Sequence, residues 1–93
     1  MPPWYKRTLS SGEALTRANT YLENARNSKD RRRAQKLCDQ AKETLERMDI
    51  SKSVKDRGQI VAVYREHGKI LEKLGLGDEA QHSYNKAEGL MYD

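Results

Sequence analysis

Cysteine is nearly absent from the sequence, in which Cys38 is the only example among 93 residues. A single thiol excludes an intramolecular disulfide and any metal site built from several cysteines. No apolar run approaches the roughly 20 residues that span a bilayer, and the first residues lack the apolar segment of a secretory signal. We therefore expect a soluble protein of a reducing, intracellular compartment, in the cytoplasm or the nucleus, with no membrane as partner.

Strand patterns and catalytic motifs are missing as well. Val, Ile and aromatic residues never alternate with polar residues over the length of a strand, so no sheet is expected. No serine lies in a nucleophile elbow, and His67 and His82 are not spaced with Cys38 as zinc ligands. The sequence thus predicts no enzyme, no cofactor and no metal site. His67 is expected instead to be a core residue whose hydrogen-bond partner is a neighbour such as Tyr84 or Glu88.

The composition predicts one small domain with a thin core. A chain of this length buries only roughly 60 to 65% of the surface that it exposes when unfolded. Its hydrophobic residues, at 35%, barely outnumber its charged residues, at 34%. Such a polar domain gains stability by packing against further helices. We therefore expect either a homo-oligomer or a part of a longer array of helical repeats.

Apolar residues at helical spacing begin after an N-terminal arm, residues 1–11, and continue through a single domain over 12–93. Ser10 and Glu13 make a capping box for a first helix over about 12–27. Start signals up to Asp30 then precede a second helix that ends near Met48. The expected buried face of this second helix consists of Ala34, Leu37, Cys38, Ala41, Leu45 and Met48.

The remaining sequence predicts a third and a fourth helix. Ser53 with Asp56 is expected to cap the third helix, which Gly75 and Gly77 stop, and Asp78 opens the fourth. The expected inward residues of the third helix are Ile60, Val63, Tyr64, His67, Leu71 and Leu74. Those of the fourth are Ala80, Tyr84, Ala87 and Met91.

The last two helices carry large and small residues at fixed offsets. The first-helix positions hold Tyr64, His67, Gly68 and Leu71, and the second-helix positions hold Ala80, Tyr84 and Ala87. This series resembles the tetratricopeptide repeat (TPR), whose pattern is W-x2-L-G-x2-Y followed by A-x3-F. The match covers about 61–93, and residues 15–48 resemble a degenerate repeat.

The resemblance implies an all-α fold with four antiparallel helices, arranged as two TPR-like hairpins that stack into a short right-handed solenoid. A four-helix bundle of another kind is the alternative. In this family the first helix of each repeat lines a concave groove that binds a peptide or helix of a partner protein. The resemblance therefore implies a non-enzymatic module for protein-protein interaction or assembly.

The partner-binding residues that the resemblance implies are Asn19, Glu23, Arg26, Arg65, Lys69 and Glu72. Alternatively, these side chains form a solvated helix face, stabilised by pairs such as Lys69 with Glu66. Family members that bind chaperone tails carry a lysine and an asparagine where this sequence has Asn19 and Glu23. A chaperone tail is therefore not the expected partner.

Positive charge is concentrated in the first half of the chain. Residues 1–48 hold 11 Lys and Arg against 6 Asp and Glu, whereas residues 49–93 hold 7 against 8. The strongest basic patch consists of Lys29, Arg31, Arg32, Arg33 and Lys36. An alternative function is therefore a basic helical module that binds RNA or DNA through this patch. Because no aromatic residue interleaves the run to stack on bases, nucleic acid is not the expected partner.

Large apolar residues near both ends of the sequence predict self-association, because such side chains rarely remain free in water. The residues expected at the contact between molecules are Trp4, Tyr5, Leu90, Met91 and Tyr92. The segment Pro2-Pro3-Trp4-Tyr5 also matches the Pro-Pro-x-Tyr ligands that WW domains read. The alternatives for this segment are therefore an arm that packs on the protein and a peptide ligand.

Overall fold

The computed structural model describes residues 9–48 and 56–91. These residues form four helices, α1 (Ser11–Asn27), α2 (Arg31–Glu46), α3 (Arg57–Lys73) and α4 (Gly77–Met91). Their β structure is an isolated bridge between Leu9 and Met48. The prediction of an all-α chain with four helices is confirmed for this part of the sequence.

The starts of α1 and α2 follow from local capping. The Ser10 hydroxyl accepts a hydrogen bond from the backbone N–H of Glu13 at 3.3 Å, and the Asp30 carboxylate accepts one from the N–H of Arg32 at 3.0 Å. Each side chain satisfies a backbone donor that has no partner within its own helix. The predicted N-cap at Ser10 is confirmed, and of the predicted start signals of α2 it is Asp30 that forms the cap.

The start of α3 depends on a distant residue. Asp56 occupies the N-cap position but makes no capping hydrogen bond through its side chain. Its carboxylate instead accepts a hydrogen bond from the hydroxyl of Ser11, the first residue of α1. The predicted capping role of Asp56 is therefore wrong, and the bond ties the starts of α1 and α3 together. Ser53, the other predicted cap, lies outside the described residues.

The turn between α3 and α4 is a Schellman motif. The N–H of Leu76 bonds to the carbonyl of Leu71 at 2.9 Å, and the N–H of Gly75 bonds to that of Glu72 at 3.0 Å. Gly75 has a φ of +79°, which a residue without a Cβ adopts without strain. Gly77, the second predicted stop signal, is in fact the first residue of α4.

Helix α3 is the centre of the packing. It contacts α4 extensively and also touches α1 and α2, while α1 packs against α2. Because α3 has neighbours on several sides, it buries more than one stripe of side chains: Ile60, Val61, Val63, Tyr64, His67, Gly68, Ile70 and Leu71. The largest fully buried side chains of the core are Leu22, Cys38, Leu45, Ile60 and Leu71. Leu9, which was expected in the arm, also belongs to this core.

Helices α3 and α4 approach each other closely at Gly68. A Cβ on this glycine would lie 2.8 Å from Cε1 of the Tyr84 ring, a separation too short for two carbon atoms. The aromatic ring thus covers the space that a side chain would need. The predicted role of Gly68 as a small residue at a close helix contact is confirmed.

The buried face of α4 is rotated from the predicted one. Ser83 and Leu90 are buried in place of Tyr84, which is only partly buried, and Met91, which is 50% exposed. The prediction that Met91 points inward is therefore wrong. The reason is tertiary, because Ser83 turns toward α3 to bond the buried His67.

Candidate functional site

Among the depressions between the described helices, three differ in their chemistry. The α1–α3 groove has a volume of about 340 Å³ and is lined by Asn19, Arg26, Gln59, Ala62, Val63 and Glu66. The basic pocket, of about 270 Å³, is lined by Ala25, Arg26, Ser28, Lys29, Arg31, Ala34, Ile70, Lys73 and Leu74. The His67 cavity, of about 300 Å³, is lined by Asp39, Lys42, Glu46, Tyr64, His67, Leu71, Glu79, His82, Ser83 and Lys86.

In the His67 cavity, one imidazole ring connects three helices by hydrogen bonds. His67 Nε2 lies 3.1 Å from the backbone carbonyl oxygen of Cys38 on α2, and Nδ1 lies 2.5 Å from the hydroxyl of Ser83 on α4. Because a carbonyl oxygen only accepts, Nε2 carries the proton, and the hydroxyl of Ser83 donates to Nδ1. Both ring nitrogens are thus satisfied, as a side chain with 2% exposure requires.

The prediction that His67 is a core histidine is confirmed, but its predicted partners, Tyr84 and Glu88, are wrong. Tyr84 instead covers Gly68, and its pKa is raised by a hydrogen bond to Glu72. Burial lowers the pKa of His67, because a charged imidazolium loses its hydration there. The ring is therefore neutral at pH 7.

Two further groups around the cavity have raised pKa values. Burial, with a smaller contribution from Glu46, raises the pKa of Tyr64 to about 12. Burial, followed by Asp39 and Glu79, raises the pKa of Cys38 to about 11. Both shifts favour the neutral form, so neither side chain supplies a nucleophilic anion at pH 7.

A hydroxyl bonded to a neutral imidazole is also an element of acyl-transfer sites, and Ser83 with His67 has that contact. Catalysis of that type needs donors aimed at the oxyanion that forms next to the nucleophile. Ser83 lies inside α4, where the backbone N–H groups are engaged in the helix. The pair therefore lacks the usual source of an oxyanion hole, and its geometry is that of a buried link between helices.

The α1–α3 groove combines amide, charged and apolar side chains. Asn19 and Gln59 supply carboxamides, and Arg26 Nη1 lies 3.2 Å from Glu66 Oε1 in an ion pair that crosses from α1 to α3. Val63 is buried and forms an apolar part of the lining. Carboxamides both donate and accept hydrogen bonds, as the backbone of a bound peptide does.

The six predicted partner-binding residues are all exposed, but the structure does not bring them into one groove. Asn19 and Arg26 line the α1–α3 groove, whereas Arg65, Lys69 and Glu72 of α3 do not. The guanidinium of Arg65 instead donates to the sulfur of Met91 at 2.9 Å, on the side of α4. Glu23 is exposed on α1 and does not line the groove either.

Sequence reasoning therefore missed three of the four groove residues of α3, which are Gln59, Ala62 and Glu66. These three are spaced by three and then four residues, so they share one face of the helix. The predicted row Arg65, Lys69, Glu72 has similar spacing but is displaced around the helix. The residue spacing predicts that polar side chains form a row along one face of α3. Only the packing of α3 against α1 selects which of the two rows faces the groove.

The predicted basic patch is divided by the fold. Lys29 and Arg31 line the basic pocket together with Lys73, which comes from the far end of α3 and was not in the predicted set. Arg32, Arg33 and Lys36 are exposed on α2 but do not line it. In the described residues, the basic cluster of the sequence is thus divided between the basic pocket and the exposed surface of α2.

The predicted self-association residues have different environments. Leu90 is buried within the described chain, with 6% exposure, so its prediction as an uncovered contact residue is wrong. The reason is the rotation of α4, which directs Leu90 into the core. Met91 remains exposed, while Trp4, Tyr5 and Tyr92, together with the Pro2-Pro3 segment, lie outside the described residues.

Comparison with known proteins finds no matching family model, no matching curated protein and no matching solved structure. The TPR resemblance therefore stays a prediction. Across residues 9–48 and 56–91, no helix combines the length and the apolar character needed to cross a membrane. In the same residues, no group of three His, Cys, Asp or Glu side chains is placed to hold a metal ion.

Proposed function

We propose that this chain is a non-enzymatic protein-interaction module of TPR type, whose α1–α3 groove binds a peptide segment of a partner protein. The arrangement proposed is two helical hairpins, α1 with α2 and α3 with α4, stacked through α3. The contacts of α3 with both α1 and α2 support this arrangement. So does the tight packing of Tyr84 on Gly68, at two positions of the repeat pattern.

The observation that carries the proposal is the lining of the α1–α3 groove. Asn19 and Gln59 offer hydrogen bonds to a peptide backbone, and the exposed Ala62 offers an apolar contact for its side chains. The Arg26–Glu66 pair lies at the side of the groove and is partly exposed, so it is available to charged groups of a partner. A groove of this composition fits a peptide better than a small apolar ligand.

The groove is tested by peptide selection against the purified chain. Peptides enriched from a random display library are measured by fluorescence polarisation against the chain and against Ala62→Trp. Ala62 is exposed and lines the groove, so a tryptophan there occupies the binding space without replacing a core residue. We expect affinity to fall by about tenfold or more, the loss typical of a blocked central contact.

The matched control is Gln40→Trp, which places the same side chain at an exposed position of α2 outside the groove. It is expected to bind the selected peptides as the unmodified chain does. Circular dichroism verifies that both variants fold. Peptides that bind Ala62→Trp with undiminished affinity, or a selection that enriches none, contradict the proposal.

Self-association is the second part of the proposed function, and Met91 is its described contributor because its side chain is half exposed at the end of α4. Light scattering of the purified chain over a range of concentrations tests this part. We expect the apparent mass to rise with concentration. A strict monomer at high concentration would count against association of the chain with itself.

A further inference from the structure

We propose that the basic pocket binds an oxyanion, a phosphoryl or carboxylate group, carried by the peptide that occupies the α1–α3 groove. This inference rests on the proposed function, because it names the chemistry of the partner. The pocket lies where the turn between α1 and α2 meets the C-terminal end of α3. Neither helix pair forms it alone.

The charged side chains that line the pocket are cations. They are Arg26, Lys29, Arg31 and Lys73, beside the hydroxyl of Ser28, and none of the described residues adds an acidic side chain to the lining. A volume of about 270 Å³ has room for several waters at roughly 30 Å³ each. An oxyanion with its hydration shell partly retained therefore fits among the cations.

Neighbouring acidic groups leave most of this charge uncompensated. Glu66 pairs with Arg26, and the carboxylate of Asp30 accepts the backbone N–H of Arg32 as the cap of α2. Within residues 9–48 and 56–91, Lys29 and Lys73 take part in no ion pair. Lys29, in the turn between α1 and α2, and Lys73, the last residue of α3, thus line one pocket without an ion-pair partner among these residues. A bound anion offsets the repulsion between the two ammonium groups.

Arg31 is held in place by the fold. Its Nη2 donates to the backbone carbonyl of Leu74 at the end of α3. A guanidinium has five N–H donors in a fixed fork, so this bond leaves other donors for an oxyanion. Since the group is already oriented, binding immobilises it at little additional entropic cost.

The pocket and the groove share Arg26, which lines both. A peptide bound in the groove therefore lies next to a cation of the pocket, and we expect it to place an acidic side chain or its terminal carboxylate there. The walls between the cations are aliphatic, formed by residues such as Ala34, Ile70 and Leu74, and no aromatic side chain of residues 9–48 and 56–91 lines the pocket. Single-stranded nucleic acid is held largely by stacking on aromatic rings, so the pocket favours a peptide anion.

The test is a titration of the full chain, labelled with ¹⁵N, followed by amide shifts in two-dimensional NMR. The probes are inorganic phosphate and three blocked tripeptides, Ala-phosphoserine-Ala, Ala-Glu-Ala and Ala-Ser-Ala. We expect saturable shifts centred on Ser28, Lys29 and Lys73 for phosphate, phosphoserine and glutamate, but none for serine. The relative affinity of the phosphoserine and glutamate peptides distinguishes a phosphoryl group from a carboxylate as the preferred ligand. Raising the salt from about 50 to 300 mM should weaken the binding.

A charge-reversal pair with a matched control locates the site. Lys29→Glu with Lys73→Glu removes two pocket cations and should weaken the phosphoserine peptide by about tenfold or more, as for the loss of charge-assisted contacts. Arg33→Glu with Lys36→Glu changes the net charge equally on exposed positions of α2 and should weaken it less than about threefold. Arg31 is kept, because it bonds to α3.

Equal losses in the two variant pairs would overturn the proposal, since they would indicate attraction to net charge alone. Shifts that do not saturate would also overturn it. A single-stranded uridine decamer that binds more tightly than every peptide, and loses affinity in both pairs, would replace it with nucleic-acid binding. The Ala62→Trp variant separates this inference from the proposed function: the short probes should still bind it, because the pocket does not include Ala62.

Discussion

The contact of Gly68 with Tyr84 predicts that Gly68→Ala destabilises the folded chain, whereas helix propensity alone predicts that it stabilises the chain. Alanine is favoured over glycine inside a helix by about 1 kcal/mol, so Gly68→Ala should stabilise an isolated α3. In the folded chain the new Cβ would lie 2.8 Å from Cε1, 3.0 Å from Cζ and 3.1 Å from Cδ1 of the Tyr84 ring. The ring or the helix must therefore move.

Inserting a carbon into a well-packed contact costs about 1 to 3 kcal/mol. After subtraction of the propensity gain, we expect Gly68→Ala to lower the free energy of unfolding by about 1 kcal/mol. For a domain of this size, that loss lowers the melting temperature by about 4 to 8 °C. Urea and thermal unfolding followed by circular dichroism measure both quantities.

Two comparisons isolate the contact. Gly58→Ala is the matched control in the same helix, because a Cβ at Gly58 has no atom of the described residues within 4 Å, and it should stabilise the chain or leave it unchanged. In a Tyr84→Ala background the obstructing ring is gone, so Gly68→Ala should become stabilising. The reasoning is refuted if Gly68→Ala stabilises the unmodified chain as Gly58→Ala does, or if its effect is the same in both backgrounds.

Three further predictions concern buried side chains. Burial lowers the pKa of His67 from 6.5, so the unfolded chain binds more protons than the folded chain below pH 6.5. The free energy of unfolding should therefore decrease as the pH is lowered through this range, by at most about 1.4 kcal/mol per pH unit. In urea titrations at several pH values, His67→Gln should flatten this dependence. The thiol of Cys38, with a pKa of about 11, should react with a disulfide reagent at pH 8 about 100-fold more slowly than in urea-unfolded chain, and equal rates would contradict its burial. Leu45→Ala should cost about 2 to 5 kcal/mol of unfolding free energy, against almost nothing for the exposed Gln40→Ala; calorimetry compares them, and a small loss at Leu45 would place it outside the core.

Local sequence signals predicted the helices well. The caps at Ser10 and Asp30 and the glycine stop at Gly75 depend on hydrogen bonds between residues a few positions apart. Such interactions are complete within one turn of helix, so the sequence contains all that decides them. The apolar spacing of α2 likewise predicted most of its buried residues, because one helix face packs on α1 and α3. Leu37 is only partly buried, and the buried Thr44 was not predicted.

Features that depend on contacts between distant residues, including the candidate sites, were predicted less well. Asp56 is one example. Its expected role as a cap is local, but its carboxylate bonds to Ser11, 45 positions away. The row on α3 is a second case, since the sequence offered two polar rows of similar spacing. Only contact with α1 selects the one that contains Glu66.

The sequence by itself determined an all-α chain, four helices that begin within a few residues of the predicted positions, and most of the residues of the core. Periodicity and capping act over short distances along the chain, and these features follow from them. The tertiary structure alone decided that α4 turns Ser83 toward His67, and that Lys29 and Lys73 share one pocket. Those pairs are 16 and 44 positions apart, so they depend on how whole helices pack against one another, which no local pattern encodes.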